Sequence, residues 1–134
     1  MHSIRTFIVE DSPLILENLV ATLEEMTPVQ VVGSAGDEAS AMQRIGHLAD
    51  LDLVIIDLFL RQGSGLGVLR RAMEGGVSAR CVVLTNYATP DMRARCQALG
   101  AHRVFDKSTD LDELLGYCTR LAAGSGRTAP GALN

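Results

Sequence analysis

At 134 residues, 47% hydrophobic and 21% charged, the chain fits one globular domain with a core of its own. A net charge of −4 gives no support for nucleic-acid binding through a basic surface, and no apolar run approaches the ~18 residues of a membrane span. Cys81, Cys96 and Cys118 are widely spaced with no CxxC pair and no signal segment precedes them, which argues against a disulfide frame or zinc site and predicts reduced thiols in a soluble, cytoplasmic protein.

Ile4 to Val9 reads as a first strand, closed by Glu10-Asp11. Ser12-Pro13 then signals a helix start, because Ser caps free amides and Pro suits the first helical position. Leu16, Leu19, Val20, Leu23 and Met26 recur at helical spacing, and Thr27-Pro28 stops that helix. Val29 to Ala35 is the second strand, with a cap at Asp37. Ala41, Met42, Ile45 and Leu48 mark a second helix that fades into Asp50-Leu51-Asp52. Leu53-Val54-Ile55-Ile56 is continuous in branched apolar residues, as a strand buried on both faces requires, and it ends abruptly in Asp57.

Ser64 starts a third helix through Leu66, Leu69, Ala72 and Met73, terminated by Gly75-Gly76. Arg80 to Thr85 is the fourth strand. Thr89-Pro90 repeats the cap-plus-proline start of a fourth helix carrying Met92, Cys96 and Leu99, which Gly100 ends. Arg103 to Asp106 is a short fifth strand, and Thr109 begins a last helix with Leu111, Leu114, Leu115, Cys118 and Leu121 as its apolar stripe. Residues 1–123 form the expected domain; 124–134 lack periodicity and read as a flexible tail or the start of a linker. Five strands alternating with five helices predict an open parallel sheet covered on both faces.

In such a sheet the carboxyl ends of the strands share one edge, and ligands bind where the winding reverses. The polar residues at those ends are Glu10, Asp11, Asp57, Thr85 and Lys107. If the first and third strands are neighbours, the carboxylates of Glu10, Asp11 and Asp57 meet. Their repulsion then requires a cation, and an all-oxygen site with few protein ligands suits Mg²⁺. With Lys107 added, the charges sum to about zero, which leaves room for a dianionic phosphoryl group. Each residue alone has an ordinary reading: Glu10-Asp11 and Asp57 as caps or turn residues, Thr85 as a strand residue, Lys107 as a solvated lysine. Those readings require a coincidence of all five at one edge.

Glu10-Asp11, Asp57 with Leu58…Gly63-Ser64-Gly65, Leu84-Thr85 and Gly100-Ala101…Lys107 together resemble the receiver domain of two-component response regulators, over about residues 4–122. The resemblance implies a flavodoxin-like doubly wound sheet of order 2-1-3-4-5. It implies that Asp57 is a nucleophile taking a phosphoryl group from a phosphohistidine on a sensor histidine kinase or phosphotransfer protein. Asp11 and Asp57 would ligate Mg²⁺ directly, Glu10 through water, and the carbonyl of Phe59 would complete the protein ligands. Lys107 would pair with Asp57 or the phosphoryl oxygens, and Thr85 would swing toward the phosphoryl group. The family further implies an effector docking on the face of helix four, strand five and helix five.

The chain departs from the family in several places. Arg61 stands four residues after Asp57, where receivers usually carry Pro, and Ser108 follows Lys107 in place of another Pro. Three before Lys107, where an aromatic switch residue is usual, stands Val104; Phe105 should face the other way by strand alternation. A loop response around Thr85 would therefore use Val104 or Tyr87. Phe59 and Tyr87, two residues after Asp57 and Thr85, occupy positions that in the family flank the path of the hydrolytic water, and two rings there imply a slowly hydrolysed aspartyl phosphate.

Three alternatives remain beside a receiver acting through a partner: a receiver piece of a longer regulator such as a transcription factor, a phosphatase of the haloacid-dehalogenase type, and a receiver-like module never phosphorylated. The phosphatase needs a second Asp two residues after the nucleophile, where this chain has Phe59. The unphosphorylated module would have lost Asp57, an acidic partner or Lys107. No helix-turn-helix pattern follows residue 123, so DNA binding through this chain is not expected. His2, His47 and His102 lack ligand spacing.

Overall fold

The computed structural model describes residues 2–124; of the expected tail, 125–134 lie outside the described residues. The elements alternate as β1 (Ile4–Val9), α1 (Pro13–Met26), β2 (Val29–Ala35), α2 (Glu38–Ile45) and β3 (Leu53–Ile56). They continue as α3 (Gly65–Glu74), β4 (Arg80–Thr85), α4 (Pro90–Ala98), β5 (Arg103–Asp106) and α5 (Leu111–Ala123). All strand pairs are parallel, in the order β2-β1-β3-β4-β5, which is the flavodoxin-like arrangement. The winding reverses between β1 and β3, so the crevice for a ligand opens between their carboxyl ends.

Alternation along β3 divides the core in two. Leu53 and Ile55 join Ile4, Ile8, Leu84 and Phe105 beneath α1 and α5. Val54 and Ile56 join Phe7, Val9, Val83 and Val104 beneath α2, α3 and α4. Every residue of β3 is fully buried, because helices cover both faces. The same alternation sends Val104 toward α4 and Phe105 toward α5, where Phe105 meets Tyr117 edge-on at 5.8 Å between ring centroids. The β1–β2 register slips between Thr6 and Phe7, and Gly33 opposite Phe7 leaves space for that ring.

The helix starts follow from side-chain caps: Ser12 Oγ accepts from Ile15 N, Asp37 Oδ1 from Ser40 N, Ser64 Oγ from Leu66 N, and Thr89 Oγ1 from Met92 N. Two boundaries differ from the sequence expectation. α2 ends at Ile45 with Gly46 as its C-cap, so Leu48 packs on the core from the turn beyond the helix. α5 is preceded by Asp110, not Thr109, and Asp110 makes no side-chain cap, because its carboxylate is taken by Asp106 N and Arg93.

Candidate functional site

Strand-end hydrogen bonds set the site. Glu10 N donates to Ala35 O at 2.9 Å and Asp57 N to Val9 O at 2.9 Å, so both residues extend the parallel ladder one step past the strands that carry them. Lys107 N donates to Thr85 O at 2.9 Å, which fixes the Lys107 backbone at the tip of β4. From there its side chain reaches across the crevice. Lys107 Nζ donates to Glu10 Oε1 at 2.8 Å and lies 3.4 Å from Asp57 Oδ2. Asp11 accepts the amide of Arg61 on Oδ2 at 2.7 Å, and Glu10 Oε2 accepts Ser12 N at 3.1 Å. One oxygen from each of Glu10, Asp11 and Asp57 lies within 4.8 Å of the other two.

The electrostatics follow from that crowding. Glu10 is 5% exposed and Asp57 9% exposed, so two of the three acids have little water to solvate them. Burial pushes the Asp57 carboxyl above the ordinary Asp value; the Lys107 ammonium opposes that rise and the charge of Glu10 adds to it. Burial also works against the charge on Lys107, yet the hydrogen bond to Glu10 and the charges of Asp57 and Glu10 more than offset it and hold its pKa above the usual lysine value. Lys107 serves Glu10 and Asp57, and the exposed Arg61 guanidinium lies 3.9 Å from Asp11 Oδ2, so three carboxylates meet two cations. The residual negative charge and the hard oxygen donors fit a small divalent cation such as Mg²⁺.

The expected site residues are not all placed alike. Glu10, Asp11, Asp57 and Lys107 are brought together. Thr85 is fully buried at the end of β4, and its Oγ1 accepts from Tyr87 N at 3.1 Å, which ties the hydroxyl to its own loop. Phe59 follows Asp57 with its ring half exposed and meets Tyr87 edge-on at 4.7 Å.

Three participants were not singled out as site residues in the sequence. Arg61, noted there only for replacing a proline, supplies an amide hydrogen that proline lacks. Glu38 accepts Ser64 N at 2.9 Å. Arg93 donates to the carbonyls of Ala88 at 3.0 Å and Val104 at 2.9 Å and to Asp110 at 3.2 Å. The glycine run is the one sequence signal that pointed toward Glu38. A Cβ on Gly65 would lie 2.0 Å from Asp57 O, while Cβ atoms on Gly63 and Gly67 would collide with Glu38.

The response regulator receiver domain family matches residues 6–119, and the chain belongs to that family. It is 34% identical over 122 residues to the nitrate/nitrite response regulator protein NarP of Escherichia coli, covering 90% of this chain and 56% of that protein. It is 30% identical over 121 residues to the uncharacterized transcriptional regulatory protein YvfU of Bacillus subtilis, covering 90% of this chain and 60% of that one. The chain thus spans little more than half the length of these relatives. Among solved structures, a LuxR-family two-component response regulator from Aurantimonas superposes with a TM-score of 0.82 at 24% identity, covering 91% of this chain and 86% of that one. Receiver domains are signalling domains rather than classical enzymes. No helix among the described residues is long and apolar enough to cross a membrane.

Proposed function

We propose that this chain is a phospho-accepting receiver that takes a phosphoryl group from a sensor histidine kinase or phosphotransfer protein onto Asp57. The observation that carries the reading is the convergence of Glu10, Asp11 and Asp57 with the ammonium of Lys107 at the switch point of the sheet. A carboxylate oxygen of Asp57 attacks phosphorus in line, the P–N bond to the donor imidazole breaks, and its electron pair leaves with the imidazole, which yields an acyl phosphate. Mg²⁺, held by Glu10, Asp11, Asp57 and the carbonyl of Phe59, would screen the charge on the transferring oxygens. Lys107 is placed to exchange its Asp57 contact for a phosphoryl oxygen. Thr85 can turn its hydroxyl to the same group only by releasing the Tyr87 amide, and that release frees the segment that leads into α4.

The receiver spans residues 1–123, with 124–134 a tail or the start of a linker. Its output passes to an effector protein through the face of α4, β5 and α5, without nucleic acid or membrane contact of its own, in the cytoplasm. Incubation with Mg²⁺ and acetyl phosphate tests the core of this reading. A mass gain of one phosphoryl group is expected, lost in Asp57→Ala and under chelation; a gain that survives Asp57→Ala refutes the assignment.

A further inference from the structure

The segment between Asp57 and α3 follows the site directly; Leu58 and Leu60 seat its first half against the core, but Arg61 to Ser64 send no apolar side chain there. The anchor of that second half comes from α2. Glu38 N donates to Gln62 O at 3.3 Å, and Glu38 Oε1 accepts Ser64 N at 2.9 Å, so one residue grips the loop on both sides of Gly63. Arg71, two turns into α3, holds the other oxygen, with Nη1 3.3 Å from Oε2. The carboxylate also lies at the amino end of α3, where the helix dipole favours negative charge.

Two glycines make this approach possible. A Cβ on Gly63, which sits at φ +80°, would come within 2.4 Å of Glu38 Cβ, and one on Gly67 would come within 2.5 Å of Glu38 Oε2. Between the gripped residues and Asp57 lies Arg61, whose amide holds Asp11 Oδ2 at 2.7 Å. An unbroken chain of contacts therefore runs from Glu38 through the backbone of 61–64 to an oxygen of the acidic site.

We infer that Glu38 is a positioning residue for the acidic site: by fixing the backbone of residues 61–64 it sets where the Arg61 amide holds the Asp11 carboxylate relative to Asp57. This rests on the proposed reading that Glu10, Asp11 and Asp57 hold Mg²⁺. Partners that orient ligands from behind typically change metal affinity by about 10- to 100-fold. Glu38→Ala, which removes the acceptor of Ser64 N, should weaken Mg²⁺ binding about tenfold by calorimetric titration. Glu38→Gln keeps an acceptor oxygen and should stay within about threefold of the unchanged protein. Leu23→Ala, a core truncation on the opposite face of the sheet, lowers stability without touching the loop and should leave Mg²⁺ affinity unchanged.

The proposal is overturned if Glu38→Ala binds Mg²⁺ as the unchanged protein does, if Leu23→Ala loses as much, or if Glu38→Gln is as impaired as Glu38→Ala. Amide hydrogen exchange, measured without metal, separates this idea from the reading beneath it. If the unchanged protein binds no Mg²⁺, the metal-site reading fails; the anchoring itself then stands only if Glu38→Ala speeds exchange at Ser64 and Arg61, and an unaltered rate sinks it as well.

Discussion

Two groups of carboxylates sit on the same sheet edge and are treated in opposite ways. Asp106 Oδ1 accepts Ser108 N at 2.8 Å and Ser108 Oγ at 2.6 Å, while Asp110 Oδ2 accepts Asp106 N at 2.9 Å and Arg93 Nη2 at 3.2 Å. Those bonds hold both carboxyls below the ordinary value: for Asp106 mainly the Ser108 hydroxyl, for Asp110 mainly the Asp106 amide. Glu10 and Asp57 instead share the one ammonium of Lys107, with Asp11 beside them held by Arg61, and burial pushes Asp57 the other way. A carboxylate saturated by the protein's own donors cannot take a ligand without breaking what it holds. One that is desolvated and short of positive charge is poised for a ligand, and the fold pays for it in stability.

The sharpest way to break this comparison is to remove the shared cation. Lys107→Met leaves buried Glu10 beside Asp57 with no ammonium, and stranding a buried charge costs roughly 3–5 kcal/mol. Urea unfolding under chelation should show a loss of about 3 kcal/mol, partly restored by Mg²⁺. An unchanged midpoint would mean that water, not Lys107, balances the acids.

A smaller effect separates the two groups by the sign of their pH dependence. Asp57 has a raised folded-state pKa, so its ionisation opposes folding, and its contribution is lost as pH rises from the unfolded value of about 4 through the folded one. Asp57→Asn should therefore be more stable than the unchanged protein under chelation, by a margin that grows from pH 4 to 7. Asp110 is depressed, so its contribution is present above about pH 4 and fades as pH falls through the folded value. Asp110→Asn should be less stable at pH 7, with the deficit closing in acid. Thermal unfolding across pH checks both, and the same sign for the two variants would dissolve the distinction.

The smallest effect concerns the apolar rim beside Glu10, Asp11 and Asp57. Replacing Phe59 and Tyr87 together by Ser and Asn should shorten the lifetime of the aspartyl phosphate, by about tenfold if water access is the barrier they impose, where each tenfold corresponds to about 1.4 kcal/mol. Decay of the phosphorylated mass after removal of the donor reads this directly. An unaltered lifetime would limit the ring pair to a surface contact.

Most element boundaries were legible because the signals are local, whereas the sheet order came only through the resemblance to receiver domains, since strand pairing is long-range. Continuous apolar strands, Ser12-Pro13 and Thr89-Pro90, and the terminating glycines all act within a few residues of the structure they specify. That Glu10, Asp11, Asp57 and Lys107 share one edge was legible, since each follows a strand and parallel pairing aligns strand ends; that the acids meet depended on β1 and β3 being neighbours, and the reach of Lys107 on the family resemblance. The start of α5 was not, because the Asp110 carboxylate turns back to the Asp106 amide and to Arg93, 17 residues earlier, instead of capping the helix. The grip of Glu38 on Ser64 spans 26 residues, and the glycines that admit it read equally well as ordinary loop residues.

Arg93 carries one more consequence. Of its three partners, two are main-chain oxygens, of Ala88 and Val104. Every amino acid presents that atom, so exchanging the side chain at position 104 leaves the tether between the fourth helix and the last strand in place. Where a rotating ring would make communication depend on residue type and on a vacancy to receive it, this linkage depends on backbone placement alone. Packing in the core, and not the tether, is then what limits the choice of side chain at position 104.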